Sequence, residues 1–385
     1  MGHGLCAMGQ SGGKHVEVRG NRRRLLVGRV DGEAGPGVVA GEVNEDDRAV
    51  INGLDEQSII DMVGGGRARS ISSESRTTPG QRAMQSAGDA LDPAALGLGH
   101  TCRKGSWDEN QDSWSILTAE THSLYAIFDG HGGKGHDVSN FVKDSLPKLI
   151  LKDTRFKTNE QANMISDVFK KTQSLVTTSD RMGKLSAQMS GTTATVCIHD
   201  HNASTFTLAH VGNSLCVVAL ALGTTWRGLP LMRAHDPTLK EERSRIERNG
   251  GRIVFDGHDS YRVYARNAHY PGLDISRTIG DLLGHLECGI TAEPEVVEGK
   301  LAPEHKALLL CTNGVWEFIE PTDAVTIVMQ FPPQQAMAAT ERLAKEAWDR
   351  WIREEGGAVV DDITVVLVRL DAKENSAEGS KTNSV

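Results

Sequence analysis

The stretch Ser123-Leu124-Tyr125-Ala126-Ile127-Phe128-Asp129-Gly130-His131-Gly132-Gly133 is an apolar run that ends on a carboxylate and passes into a turn of small residues. A carboxylate at the end of a buried strand offers charged oxygen to a hard divalent cation. The glycines that follow let backbone carbonyls approach without a Cβ in the way. His131 adjoins that position and has a side chain able to donate a proton near neutral pH. Taken alone, Asp129-Gly130-His131 is equally a tight turn after a core strand.

Other segments share this character of polar or small residues at the ends of strands and helices. They are Glu109-Asn110-Gln111-Asp112, Ser190-Gly191-Thr192-Thr193-Ala194, Val211-Gly212-Asn213-Ser214, Ser276-Arg277-Thr278-Ile279-Gly280-Asp281, Ala292-Glu293-Pro294-Glu295-Val296, Cys311-Thr312-Asn313-Gly314-Val315-Trp316 and Asp361-Asp362-Ile363-Thr364. In this order the set resembles the metal-dependent PPM family, the type-2C protein serine/threonine phosphatases, over residues 96–370. The resemblance implies an α+β fold: a β-sandwich flanked by helices in α-β-β-α layers, with two Mn²⁺ or Mg²⁺ ions, and a weak third, in a cleft at one edge. It also implies hydrolysis of phosphoserine and phosphothreonine. Carried over residue by residue, the resemblance implies that Asp129 bridges both ions with the Gly130 carbonyl on one of them, that Asp361 holds the other, and that Asp112 lies behind these ligands or binds through water. His131 protonates the leaving oxygen.

The departures from the family pattern bear on activity. Asn313 stands where the family has a metal-ligating aspartate, and Asn213 where it has an aspartate supporting a third ion. An amide keeps an oxygen but loses the charge that offsets a dication. Gln111 replaces a frequent glutamate, Ala234-His235 a usual Asp-His pair, and Trp107 an arginine that grips phosphate. Arg103 and Lys104 lie close in sequence and are the expected substitutes, although lysine lacks the bidentate fork. Two function classes follow. One is a phosphatase with weakened metal affinity; the other is a non-catalytic relative that binds phosphoproteins or partner domains.

A net charge of −9 over 385 residues argues against a nucleic-acid binder, which would normally carry a basic field. No apolar run approaches the ~20 residues that span a bilayer, and no secretory signal opens the chain. The six cysteines include no CxxC pair. Cys197, Cys216 and Cys311 fall in strand-like apolar runs and read as buried hydrophobes, consistent with a reducing cytoplasmic setting. Nothing in the sequence argues for more than a monomer.

Residues 1–95 are rich in Gly, Ser and charge, and read as a disordered regulatory extension with a short helix over 56–63. Gly2, exposed once Met1 is removed, is the start required for myristoylation. Cys6 stands where Ser or Thr is usual and is a candidate for palmitate, and Arg22-Arg23-Arg24 favour an anionic membrane surface. An ordinary flexible terminus is the plain alternative. Arg67-Ala68-Arg69-Ser70-Ile71-Ser72 sets basic residues three before Ser70 and Ser72, a pattern for a basophilic kinase. Phosphate there would change partner or membrane binding.

From 96 onward, strands are expected at 123–129, 193–199, 204–211, 215–219, 306–312 and 363–370. Helical stripes run through Ile165, Val168, Phe169, Thr172, Leu175 and Val176, and through Met337, Thr340, Leu343, Ala344, Ala347, Trp348 and Trp351. A further helix over 240–249 stops at Gly250-Gly251. Residues 252–271 read as an excursion beside the cleft, with Tyr261, Tyr264 and Tyr270 candidates for substrate specificity, and 371–385 as a flexible tail.

Overall fold

The strand that carries Asp129 spans His122–Gly132 and is buried on both faces for most of its length. Its residues alternate with period two. Leu124, Ala126 and Phe128 join the core beneath two long helices, and Tyr125 and Ile127 join the core between two sheets. A strand of this kind belongs at the centre of a layered fold, and that is where it lies. The computed structural model describes residues 45–52, 69–73, 84–88, 91–257 and 260–372.

The first sheet has nine strands. Its main path runs Glu295–Lys300, Thr205–Val211, Ala194–Asp200, His122–Gly132, Asp112–Thr118, Arg69–Ser73 and Met84–Gly88, with Ser190–Thr192 and Ile279–Gly280 attached beside the end of the central strand. The second, of five strands, runs Thr225–Pro230, Leu215–Leu222, His305–Cys311, Ile363–Arg369 and Leu98–Arg103. Every pairing in both sheets is antiparallel.

Helices Gly135–Lys152 and Gln161–Arg181 cover the outer face of the first sheet through Val142, Leu146, Ile165 and Phe169. Pro321–Val328 and Ala336–Glu354 cover the second through Val325, Leu343, Ala347 and Trp351. Ile116, Tyr125, Leu208, Leu308, Leu310 and Val366 fill the space between the sheets. The four layers are the expected α-β-β-α sandwich.

Two regions differ from the sequence reading. Residues 252–271 are not an irregular excursion. Gly251–Phe255, Tyr261–Ala265 and Pro271–Leu273 make a separate three-stranded sheet. It packs on its own small core of Ile246, Val263, Ala265, Cys288 and Ile290.

Parts of the expected disordered extension also carry structure. Arg69–Ser73 pairs with Asp112–Thr118 and places Ile71, 2% exposed, in the core between the sheets. Without it Asp112–Thr118 would be a bare edge strand, and covering such an edge satisfies its backbone groups. Helix Glu45–Asn52 docks on the second long helix through buried Asp47, which accepts from Thr178 Oγ1 at 3.0 Å and pairs with Lys171. The helix expected over 56–63 lies outside the described residues, as do Gly2 and Cys6.

Candidate functional site

Asp129 and Asp112 face one another in register at the ends of paired central strands. The Asp129 N–H donates to Thr193 Oγ1 at 3.0 Å, and the Thr193 N–H returns a bond to the Asp129 carbonyl at 2.9 Å. Thr193 Oγ1 also meets Ser214 Oγ at 2.7 Å, tying the Gly212-Asn213 turn to the same point. A Cβ on Gly130 would lie 2.5 Å from the Gly135 carbonyl oxygen and 2.6 Å from that of Gln111, so no larger residue fits beside Asp129. Gln111 Nε2 donates to the Gly132 carbonyl at 2.9 Å. An amide does this and a carboxylate cannot, which gives the glutamine a structural role here.

The opposite wall comes from the second sheet. Thr312 Oγ1 donates to Asp112 Oδ2 at 2.8 Å, just before Asn313 opens a short helical turn. Asp362 accepts from the Gly105 and Gln111 N–H groups, each at 2.7 Å, and its own N–H donates to Asp361 Oδ1 at 2.9 Å. Burial, and then the charges of Asp362 and Asp361, push the Asp112 carboxyl up to about 7. Crowding of buried carboxylates is relieved by a cation among them.

Asp129, His131, Thr193, Asn213, Asn313 and Asp361 line one pocket, together with Arg262, Gly272, Leu273, Asp274 and Ile275 from the small sheet and its exit. It adjoins a polar cavity of about 550 Å³ that shares Asn213, Asn313, Asp274 and Ile275 and adds Asp236 and Glu317. The pocket's donors on the sequence-predicted positions are two carboxylates and two amides, all hard oxygens suited to Mn²⁺ or Mg²⁺. Asn313 Oδ1 is buried with no hydrogen-bond donor, as an oxygen meant for a cation would be. Among the described residues no three His, Cys, Asp or Glu side chains converge as a metal cluster. The residues fit a dication, with less charge than the family pattern supplies.

His131 Nε2 lies 2.6 Å from Asp281 Oδ2. Asp281 is 1% exposed and takes a left-handed conformation, φ 45°, after Gly280 at φ 93°. A Cβ on Gly191 would sit 2.1 Å from Asp281 Oδ2 and 2.9 Å from His131 Nε2, so that glycine makes room for the pair. The motif holding Asp281 was visible in the sequence, but its role was not. His235, the second residue of the altered Ala-His pair, is fully buried and stacked on His210 at 4.2 Å. Its Nδ1 accepts from the Gly212 N–H at 3.0 Å, holding the Asn213 turn. Burial, and then His210, push it down to about 2, so the ring is neutral.

Arg103 and Lys104 do not reach the pocket. Arg103 Nη2 is bonded to Glu341 at 2.6 Å, and Lys104 Nζ donates to the Trp107 carbonyl at 2.7 Å, closing its own loop. The expectation that they grip phosphate is corrected by these partners. Ser70 and Ser72 lie in strand Arg69–Ser73, which pairs with Asp112–Thr118 on one side and Met84–Gly88 on the other, with Ser72 buried, so a kinase would first have to displace that strand. Arg262 was missed altogether. Its only signal was its place in the segment beside the cleft.

Comparison with known proteins agrees with this geometry. The sequence model of the family described as "Protein phosphatase 2C" matches residues 98–355. "Probable protein phosphatase 2C 72" of Arabidopsis thaliana is 30% identical over 298 residues, covering 72% of this chain and 86% of the relative. "Probable protein phosphatase 2C 35" of the same plant is 28% identical, covering 69% and 80%. Among solved structures, the fold is similar to a serine-threonine phosphatase 2C from Toxoplasma gondii, with TM-score 0.61, 18% identity, and 71% of this chain and 94% of that one covered. A C. elegans sex determining protein gives TM-score 0.59 at 21% identity, covering 71% and 64%. Among the described residues no helix is long and apolar enough to cross a membrane.

Proposed function

The chain belongs to the protein phosphatase 2C family, and from that premise we propose that it hydrolyses phosphoserine and phosphothreonine in proteins with Mn²⁺ or Mg²⁺ as cofactor. Asn313 and Asn213 weaken its hold on the metal. The observation that carries this reading is the single pocket collecting Asp129, His131, Asn213, Asn313 and Asp361 from four separate segments. A fold kept only for binding has no need of that convergence. Asp129, the Gly130 carbonyl, Asp361 and the Asn313 amide would hold the metal, with Asp112 behind them. When bound, it would supply Lewis-acid polarisation of the phosphoryl oxygens and a more acidic water.

The chain's own groups do the rest. Asp281 orients the His131 ring through Nε2, and that ring is the proton donor to the departing serine or threonine oxygen. Thr193 and the glycines at 130 and 191 hold Asp129 and His131 in one frame. Trp107 in place of an arginine, and the lack among the described residues of three His, Cys, Asp or Glu side chains placed to hold one metal ion, favour the second reading, a phosphoprotein-binding module.

Mn²⁺-dependent release of phosphate from a phosphothreonine peptide tests the proposal. Turnover that rises with Mn²⁺ and disappears in Asp129→Asn supports it. Peptide binding without turnover at any Mn²⁺ concentration selects the module instead.

A further inference from the structure

A phosphate monoester entering this pocket brings negative charge beside Asp129 and Asp361. A protein donor on the phosphoryl oxygens is therefore needed in addition to any metal. The arginine expected for this role is Trp107 here, and Arg103 and Lys104 are committed to Glu341 and to loop carbonyls. Among the described residues that line the pocket, Arg262 is the sole lysine or arginine.

Arg262 reaches the pocket from strand Tyr261–Ala265 of the small sheet and is 3% exposed. Its Nε pairs with Asp256 Oδ2 at 3.2 Å, and its Nη1 donates to the Gly272 carbonyl at 2.9 Å. Those two bonds fix the plane of the guanidinium from behind. Among the described residues Nη2 has no acceptor, and Nη1 keeps a second N–H, so the terminal edge of the fork remains for an oxyanion. A planar guanidinium already held by its neighbours loses little side-chain entropy when it takes up a second partner.

We propose that Arg262 binds the substrate phosphoryl group, in the place of the arginine that the family carries at position 107. The inference rests on the phosphatase reading above for its substrate class. It moves the phosphate grip from the edge of the sandwich to the small sheet, so substrate selection and phosphate recognition fall on one element.

The test uses the full chain with saturating Mn²⁺ and inorganic phosphate as the probe, followed by calorimetry. Arg262→Gln should weaken phosphate at least tenfold and leave Mn²⁺ affinity within about twofold, with Arg262→Lys between the two. Val263→Ala loosens the core of the same sheet but leaves the guanidinium and both its bonds, and should retain phosphate binding. Adding Trp107→Arg to Arg262→Gln should recover it.

The inference is overturned if wild type binds no phosphate, or if Arg262→Gln binds it as wild type does. It is also overturned if Val263→Ala loses as much as Arg262→Gln, since a merely structural role predicts that. Arg262-dependent phosphate binding without peptide turnover upholds the inference and sinks the phosphatase reading. Turnover that is indifferent to Arg262 does the reverse.

Discussion

Asn313→Asp should have opposite effects on stability with and without metal. Asn313 shares its pocket with Asp129 and Asp361, each 6% exposed, and its Oδ1 is buried without a donor. A third carboxylate beside these would cost on the order of 3 kcal/mol per pair for a separation of about 5 Å and an effective dielectric of about 20, if it stayed ionised. Proton uptake by the new carboxyl relieves part of that cost. Without divalent ions the variant should therefore melt below wild type. With Mn²⁺ the sign reverses, because each carboxylate then faces a double positive charge. A tenfold gain in Mn²⁺ affinity requires only about 1.4 kcal/mol to survive. At a free Mn²⁺ of about 100 times the dissociation constant, binding adds about 2.7 kcal/mol of stability. Calorimetric titration gives the affinity, and thermal melts in chelator and in Mn²⁺ give the two signs. An Asn313→Asp chain with unchanged Mn²⁺ affinity, melting like wild type in both conditions, would refute the placement of Asn313 in a metal site. A wild-type chain that already binds Mn²⁺ tightly would refute the reading of Asn313 as a weakening.

Asp281→Asn should cut turnover of a phosphothreonine peptide at least tenfold and much less that of an activated aryl phosphate, whose leaving oxygen needs no proton; equal losses on both would contradict a role through His131. Gly191→Ala, whose Cβ would meet Asp281 Oδ2 at 2.1 Å, should reproduce that pattern with Mn²⁺ affinity kept, as a titration of the variant will show. His235 is neutral in the fold and protonates near 6.5 when unfolded, so its contribution is intact above that pH and is lost as pH falls below it. The loss is about 1.4 kcal/mol per pH unit. Urea midpoints at pH 7.5 and 5 should fall accordingly, with a flatter slope in His235→Gln; identical slopes would remove His235 from the account.

The central strand and the two helical stripes were legible because their signal is local. The unbroken apolar run Leu124, Tyr125, Ala126 and Ile127, and the spacing of Ile165, Phe169 and Thr172, depend on nothing but the neighbouring residues. Arg69–Ser73 was not legible. Its sequence holds one buried apolar residue, Ile71, and it becomes a strand because Asp112–Thr118 offers an edge. The small sheet was hidden for a similar reason. Arg262 is buried in it because Asp256, a loop residue, meets its charge, and no periodicity announces such a pair. Asp281 stood in plain view, yet its use depends on a left-handed turn at a residue that is not glycine.

What the motifs did show was where charge has been removed, and the structure explains how the fold bears that removal. Asparagine and aspartate have nearly the same shape, so Asn313 still opens its helical turn and Asn213 still sits in the turn that His235 and Ser214 secure. The two buried carboxylates left in the pocket, Asp129 and Asp361, repel one another less than four would, so on the proposed reading the substitutions would favour the metal-free fold while weakening its claim on a cation. Stability and metal affinity are thus set against each other at these two positions. Arg262 stands to the same pocket as a fixed positive charge that needs no metal to remain in place. On the proposed reading, a chain built this way would keep a preformed place for phosphate when Mn²⁺ is scarce and gain catalytic capacity only when it is abundant.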